Sequence, residues 1–328
     1  MSLYKPVKIG NLELPGNLFL APVAGYSDKA FRSVCVENGA CFTYTEMVSA
    51  EALIRDNWKT EGLMARAYNE KAYSVQIFGG TEDVMQQAAK IVLEKTHCEC
   101  IDINCGCPVP KVTKTGAGSA LTRDPERLYK IAKAVIDVCQ DVPVSVKIRS
   151  GWDKNTMTWK EAAQAALDAG VKAITIHPRT KAQAYEGRSD WNLMKELVEF
   201  IDKRIPIFGS GDLFSPEDAK RMMEQTGVDA VMFARGAMGN PFIFRDATSL
   251  FKNGSYEPVP AEVRIKTGFE ELERLVKDTN EQHACLEMRK RFHAYSKGIP
   301  GGAALRSRIV QASTVADYHA IFDDFLNH

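Results

Sequence analysis

Neither sign of charge is in excess in this sequence: Lys and Arg number 42, Asp and Glu number 42, and the formal net charge is zero. That balance excludes a chain-wide electrostatic pull toward nucleic acid or an anionic membrane surface, but leaves room for local segregation of charge. No apolar run approaches the about 20 residues needed to cross a bilayer. The opening MSLYKPVKIG lacks the apolar stretch of a secretory signal. No low-complexity tract is present. The eight cysteines, at 35, 41, 98, 100, 105, 107, 139 and 285, do not follow the spacing of a secreted disulfide scaffold. A cytoplasmic, reducing location is expected. The run Cys98-x-Cys100-x4-Cys105-x-Cys107 lacks the two-residue gaps of common zinc sites. Rise along an intervening strand would also hold its two pairs apart, so no metal is expected there.

What the chain does have is alternation. Eight short β-rich apolar segments recur: Phe19–Val23, Phe42–Met47, Ser74–Phe78, Ile101–Asn104, Val144–Ile148, Ala173–His177, Ile205–Gly209 and Ala230–Ala234. Their apolar character is continuous rather than alternating, the pattern of strands buried on both faces of a parallel sheet. Helical patterns separate them. Asp124-Pro125-Glu126 supplies an N-cap, a first-turn proline and an acid, and Leu128, Ile131, Val135 and Val138 follow at helical spacing. Thr158 with Glu161 predicts a capping box closed at Gly170, and Ser215-Pro216-Glu217-Asp218 opens a helix closed at Gly227. Eight βα units in about 250 residues predict a TIM (β/α)8 barrel, with a doubly wound open sheet as the competing fold. After Phe251 the strand signal stops. Lys252–Pro260 reads as a linker, Ile265, Phe269, Leu272 and Val276 as an amphipathic helix, and Ala284–Lys297 as another. An α/β barrel with a small C-terminal all-helical domain is therefore expected.

In such a barrel the C-terminal strand ends form the active mouth, and phosphate often binds after strands seven and eight. Gly209-Ser-Gly-Asp212 and Ala234-Arg-Gly236 stand at those two places. Gln76, Asn104, Cys107, Lys147, His177 and Arg179 end other strands, and Pro22-Val-Ala-Gly25 puts small residues at the first strand end. Each of these alone has an ordinary structural reading as a tight turn, an ion-pair partner or a satisfied core group. Their convergence on one rim favours a bound polar, phosphorylated ligand. A Cys107 thiol of ordinary pKa is mostly protonated at neutral pH and can donate a proton as well as attack. In the tail, Met288–Val310 contains Arg289, Lys290, Arg291, Lys297, Arg306 and Arg308 and no acid. Arg289, Lys290, His293 and Lys297 fall on one helix face, opposite Met288, Phe292 and Tyr295. A face of that kind can track a phosphate backbone.

Together these pieces resemble the tRNA-dihydrouridine synthase family over nearly the whole chain. Leu20-Ala-Pro-Val-Ala-Gly25 with Asp28 and Phe31-Arg32 is similar to its opening motif. Asn104-Cys-Gly-Cys-Pro108 with Lys111-Val112, then Gly116-Ala-Gly-Ser-Ala-Leu121, resembles its most diagnostic stretch. His177-Pro-Arg-Thr180, Gly209-Ser-Gly-Asp212 and Arg235-Gly236 follow in order. The resemblance implies an FMN-binding catalytic barrel over 1–251 and a tRNA-binding helical domain over 252–328. It also implies an oxidoreductase that reduces the C5–C6 bond of uridines in tRNA with NADPH, or more broadly NAD(P)H, as electron source. Pro22, Val23, Ala24, Gln76, Lys147, His177, Ser210, Gly211, Asp212, Ala234 and Arg235 would hold FMN, and Cys107 would be the general acid. Asn104 and Arg179 would hold the uracil edge, and Arg289, Lys290 and Lys297 the tRNA backbone. Ser210 stands where the family more often has Asn, Ala234 where it has Gly, and Pro178 makes His-Pro of a more usual His-Gly. Tight binding through backbone amides tolerates the first two changes. Neither a membrane association nor an obligate protein partner is implied. The rival readings are a flavin barrel acting on a free pyrimidine, of the dihydroorotate dehydrogenase kind, a Schiff-base aldolase using Lys147, and a tRNA-binding or folding factor without catalysis.

Overall fold

The computed structural model describes residues 2–326. The strands are β1 (Val7–Ile9), β2 (Leu12–Leu14), β3 (Leu18–Leu20), β4 (Phe42–Tyr44), β5 (Val48–Ser49), β6 (Tyr73–Phe78), β7 (Cys100–Cys105), β8 (Val144–Gly151), β9 (Ala173–Thr180), β10 (Ile207–Ser210) and β11 (Ala230–Phe233). All eight segments expected from the sequence are strands. They pair in parallel in the order β3, β4, β6, β7, β8, β9, β10, β11, and β11 pairs back onto β3. The sheet is therefore closed, and the open doubly wound alternative is excluded. The two-residue β5 adds a ninth strand against the end of β6; it was not separable in the sequence from the segment before it.

The antiparallel hairpin β1–β2 closes the N-terminal end of the ring. Its Val7, Ile9 and Leu14 pack with Phe19, Phe42, Phe208 and Met232 in the barrel interior. Phe19 meets Phe42 and Phe208 edge-on, with centroids at 5.7 and 5.1 Å, an arrangement that satisfies ring quadrupoles in a dry core. With the floor plugged by aromatic rings, access to the interior is from the C-terminal mouth alone.

Helices wrap the ring, and most start as the sequence signals imply. The Asp124 side chain accepts from the Arg127 amide at 3.2 Å at the start of the helix Pro125–Cys139, whose Leu128, Ile131 and Val135 are buried against the sheet. Such a cap stabilises by about 1 kcal/mol. Ser215 and Asp218 form a reciprocal capping box, and Gly170 and Gly227 end their helices in the left-handed conformation. Thr158 differs from expectation. Its side chain makes no cap bond, and its hydroxyl is buried without a partner. The helix Trp159–Ala169 instead starts on the packing of Trp159, Ala162 and Ala166.

The last helix of the barrel region runs Ile243–Asn253, two residues past the expected boundary, and stops at Gly254 in the left-handed conformation. After an extended stretch to Pro260 come the helices Ala261–Asp278, Glu281–Tyr295, Gly302–Ile309 and Val315–Leu326. They share a separate core of Ile265, Leu272, Met288, Phe292, Tyr295, Tyr318 and Phe322. This unit sits on the barrel helix Lys29–Glu37 through Arg274 to Glu37 at 2.8 Å and Lys29 to Asp278 at 2.7 Å. Arg291 reaches Asp28, the N-cap of the same barrel helix. No described helix is long and apolar enough to cross a membrane.

Candidate active site

A cavity of about 260 Å³ opens at the C-terminal mouth. Pro22, Val23 and Ala24 enter its wall after β3, Gln76 on β6, Asn104 and Cys107 at the end of β7, and Lys147 on β8. His177 on β9, Ser210–Asp212 at the end of β10, and Ala234 with Arg235 after β11 complete the ring. Thirteen positions named from the sequence thus share one cavity. Arg179, Arg289, Lys290 and Lys297 lie outside its wall.

The thiol sits on a braced loop. Asn104 Oδ1 accepts from the amides of Gly106 at 3.2 Å and Cys107 at 2.9 Å. Arg149 Nε donates to the Gly106 carbonyl at 2.7 Å, and the Ser119 amide donates to the Cys107 carbonyl at 3.0 Å. Gly118 underlies this loop at φ 61°; a Cβ there would come within 2.8 Å of the Cys107 carbonyl oxygen. That close approach explains the glycine in the Gly116-Ala-Gly-Ser run. Cys107 is half-buried, and burial raises its pKa against the smaller opposing effects of the Val109 amide and the Arg149 charge. The thiol is therefore protonated at neutral pH, the state a proton donor needs.

Below the loop, side chains at alternate positions of neighbouring strands point inward: Gln76 from β6, Asp102 and Asn104 from β7, Ser145, Lys147 and Arg149 from β8. Asp102 is fully buried, accepts from Gln76 Nε2 at 2.6 Å and Ser145 Oγ at 2.5 Å, and is pushed up to about 6 by burial. Lys147 is pushed down to about 8, by burial first and by Arg149 second. It forms no ion pair among the described residues, so its ammonium is open to the cavity. Arg149 spends Nε and Nη1 on the carbonyls of Gly106, Thr180 and Ala184, leaving Nη2 without an acceptor among the described residues.

Arg179 is placed otherwise than a substrate-edge donor would be. Its guanidinium is buried, pairs with both oxygens of Asp212 at 2.9 Å, and donates to the carbonyls of Glu186 at 3.1 Å and Gly187 at 2.7 Å. It also faces His177 Nε2 at 3.1 Å, which makes that nitrogen an acceptor. Burial and the surrounding cations Lys147, Arg149, Arg179 and Arg235 hold His177 well below its usual range, hence neutral. Arg179 is a clamp on the loop 181–189 and on the Asp212 turn. No residue-type signal distinguishes such a clamp from an open donor, because its partners are carbonyls supplied by the folded loop.

After β10 and β11 the backbone forms an anion cradle. The amides of Gly211, Asp212, Arg235 and Gly236 have no acceptor among the described residues. The two loops touch so closely that a Cβ on Gly236 would overlap the Leu213 carbonyl oxygen. The side chains there are otherwise engaged: Ser210 Oγ donates to the Met232 carbonyl at 3.2 Å, and the Asp212 carboxylate takes Arg179, the Ser189 amide and, at 3.4 Å, one Nη of Arg235. What remains toward the cavity is backbone N–H and the half-exposed Arg235, lying between the rings of Tyr185 at 5.0 Å and Phe214 at 5.2 Å. Successive free amides beside an arginine suit a phosphate.

The tail cations are largely committed. Arg289 donates to the Ala312 carbonyl at 2.8 Å, Arg306 to the Ser296 carbonyl at 3.2 Å, and Arg308 pairs with Asp324. Arg291 is buried against Glu271 and Asp28. Lys290 is exposed on the rim, pairs with Glu287 at 2.5 Å and donates to the Gly25 carbonyl at 2.9 Å, next to the first strand end. Lys297 is exposed and its ammonium has no partner among the described residues.

A family model described as dihydrouridine synthase matches residues 19–327. The chain belongs to that family. A "Probable tRNA-dihydrouridine synthase" of Treponema pallidum is 52% identical, over 98% of this chain and 97% of the relative. The "tRNA-dihydrouridine synthase B" of Pseudomonas aeruginosa is 35% identical over 92% of this chain and 90% of its own. Among solved structures, this dihydrouridine synthase family member shares its fold with a histamine dehydrogenase from Rhizobium sp. 4-9. That match has a TM-score of 0.59 at 13% identity and covers 83% of this chain and 50% of the other. A DHODH from Eimeria tenella matches with a TM-score of 0.55 at 14% identity, over 75% and 82%. Three groups in this family member were not singled out from the sequence: Asp102, Arg149 and the aromatic pair Tyr185 and Phe214. The period-two rule applied outward and inward from Asn104 and Lys147 would have found the first two.

Proposed function

We propose that this chain is an FMN-dependent tRNA-dihydrouridine synthase, reducing the C5–C6 bond of uridines in tRNA with NADPH as reductant. The observation that carries the reading is a protonated, braced thiol in the same cavity as a free-amide phosphate cradle. The residues present fit FMN. The cradle and Arg235 match its phosphate, and the small Pro22–Ala24 backbone offers a flat face for a ring. Lys147 offers an unpaired cation to the polar edge of an isoalloxazine.

Bound FMN, once reduced, supplies the hydride for C6 of uracil. The chain's own residues do the rest. Cys107 holds the proton at Sγ and delivers it to C5 from a loop that Asn104 and Arg149 keep in register. Lys147 carries positive charge where negative charge develops, the preorganised electrostatic contribution expected of such sites. His177, neutral, adds no competing charge. Arg149 Nη2 and the second Asn104 N–H, which meets only the weak acceptor Met47 Sδ at 3.8 Å, are the donors that would hold the uracil edge, the part first given to Arg179. The target base must leave its stack to enter so narrow a mouth, which favours a loop nucleotide. Lys297 is the open cation for the RNA backbone, and Lys290 at the rim would have to exchange its Glu287 partner for a phosphate.

The test is direct. The purified protein is expected to be yellow and to release FMN on denaturation. It should form dihydrouridine in unmodified tRNA with NADPH but not in free uridine or other free pyrimidines. Cys107→Ala should keep its flavin and its tRNA affinity and lose at least about a hundredfold in turnover, the usual worth of a general acid. A colourless protein that still binds tRNA would favour a non-catalytic factor, and turnover on a free pyrimidine alone would favour the other barrel chemistry.

A further inference from the structure

The braced cysteine loop is the end of a chain of buried hydrogen bonds that begins four side chains away. Ser145 Oγ donates to one oxygen of Asp102 at 2.5 Å, and Gln76 Nε2 donates to the other at 2.6 Å. Gln76 Oε1 then accepts from Asn104 Nδ2 at 2.8 Å. Asn104 Oδ1, last in line, takes the amides of Gly106 and Cys107. Asp102 and Gln76 are 0% and 1% exposed, and Asn104 is 8% exposed, so water does not compete for these contacts.

Two of the links are carboxamides, whose oxygen and nitrogen ends exchange places by a simple half-turn. A carboxylate has no such freedom, because it only accepts. With an ionised carboxylate at 102, the NH2 of Gln76 must face it, so its oxygen must face Asn104. The NH2 of Asn104 then faces Gln76, which leaves its oxygen for the loop amides. Reversing Gln76 would set two NH2 groups against each other and, after Asn104 follows, an NH2 against two backbone N–H groups. From this geometry we infer that Asp102 is a positioning residue for Cys107: its acceptor-only carboxylate fixes the direction of the Gln76 and Asn104 amides and so holds the thiol loop in place.

The inference rests on the proposed role of Cys107 but is tested without it. Asp102 is faced by Gln76 from β6, Ser145 and Lys147 from β8, and Tyr44 from β4, with Cys100 and Cys105 on its own strand. Protonation of Asp102, raised by burial to about 6, turns it into a group that both donates and accepts. The direction of the relay is then no longer unique, the same condition that Asp102→Asn creates.

The experiment is alkylation of the purified protein by iodoacetamide, with the rate at Cys107 read by peptide mass spectrometry. Half-buried Cys41, which faces Tyr4 on the far side of the chain's fold, serves as the internal control. Above pH 7, Asp102→Asn should change the Cys107 rate by about fivefold, as expected when one hydrogen bond to a loop is lost, and leave Cys41 unchanged. The variant-to-native ratio at Cys107 should collapse toward one by pH 5, where native Asp102 is itself protonated. The double variant Asp102→Asn/Gln76→Glu returns an acceptor-only group to the chain, and its Cys107 rate should move back toward the native value. An unchanged Cys107 rate in Asp102→Asn, a ratio independent of pH, or a double variant further from native than the single one would each overturn the inference. Cys107→Ala with undiminished dihydrouridine formation would overturn the proton-donor role instead, leaving the relay standing.

Discussion

Arg291→Met deletes one charge from a buried cluster that joins the helical domain to the barrel. In the native protein Arg291 pairs with Glu271 through Nη1 and with Asp28 through Nη2, and its guanidinium lies 4.9 Å from the Tyr26 ring centroid. Glu271 is 0% exposed, and its other oxygen accepts from the Tyr295 hydroxyl at 2.7 Å. Asp28 is partly exposed and keeps its cap bond to the Phe31 amide at 2.9 Å. Loss of the guanidinium therefore strands Glu271, while Asp28 falls back on water and its helix. Removing one partner of a buried ion pair costs about 3 to 5 kcal/mol. Burial already raises the Glu271 pKa, with Arg291 pulling it back down; without Arg291 it rises further. A carboxyl with a raised folded pKa contributes stability that is present at low pH and lost as pH rises through that value. The deficit of Arg291→Met should hence be larger at pH 8 than at pH 5. Arg291→Met/Glu271→Leu removes the stranded charge and should recover most of the loss, since buried pairs exchange for apolar groups at little net cost. All four tryptophans, at 58, 152, 159 and 191, lie in the barrel region. Urea unfolding followed by far-UV circular dichroism and by tryptophan fluorescence therefore separates the domains. In the single variant the dichroism should begin to fall before the fluorescence does. A loss under about 1 kcal/mol, or a double variant less stable than the single one, would refute this account of the interface.

Three further outcomes are expected. Lys147→Met should weaken flavin retention, measured by titration. Native activity should decline as pH rises through about 8, where Lys147 loses its proton, and that limb should be missing from whatever activity the variant keeps. Because the folded pKa of Lys147 is lowered, flavin-free native protein should gain stability as pH rises from about 8 toward 10.5, whereas the variant should show no such gain in thermal scans. Arg179→Lys cannot reproduce the bidentate contact with Asp212 and the two carbonyl contacts together; it should lower the melting temperature and raise KM, and an unaltered KM would show that the clamped loop does not shape the substrate site. Lys290→Ala and Lys297→Ala should each reduce the salt slope of tRNA binding by up to about one unit, read from filter binding across a salt series; an unchanged slope would assign them to packing.

Much of this molecule can be read without its fold. Continuous apolar runs separated by capped helices are buried on both faces, so a parallel sheet covered by helices follows from pattern, while its closure into an eight-strand ring was decided by β11 pairing onto β3. A residue at the end of such a run must lie at the mouth, which is why Gln76, Asn104, Cys107, Lys147 and the two glycine turns share one cavity. Period and end-position are local properties, and local properties survive in a sequence. Partnership is not local. Arg291 and Asp28 are 263 residues apart, and only their meeting decides that Arg291 is buried while its neighbour Lys290 reaches the rim. Arg179 looks like an open donor until the loop 181–189 wraps its carbonyls around it, and Thr158 like a cap until its hydroxyl turns inward. The direction of the Gln76 and Asn104 amides is the finest case: nothing in either residue type sets it, and it is determined by the Asp102 carboxylate, on the strand beside Gln76, and the exclusion of water from the space between them.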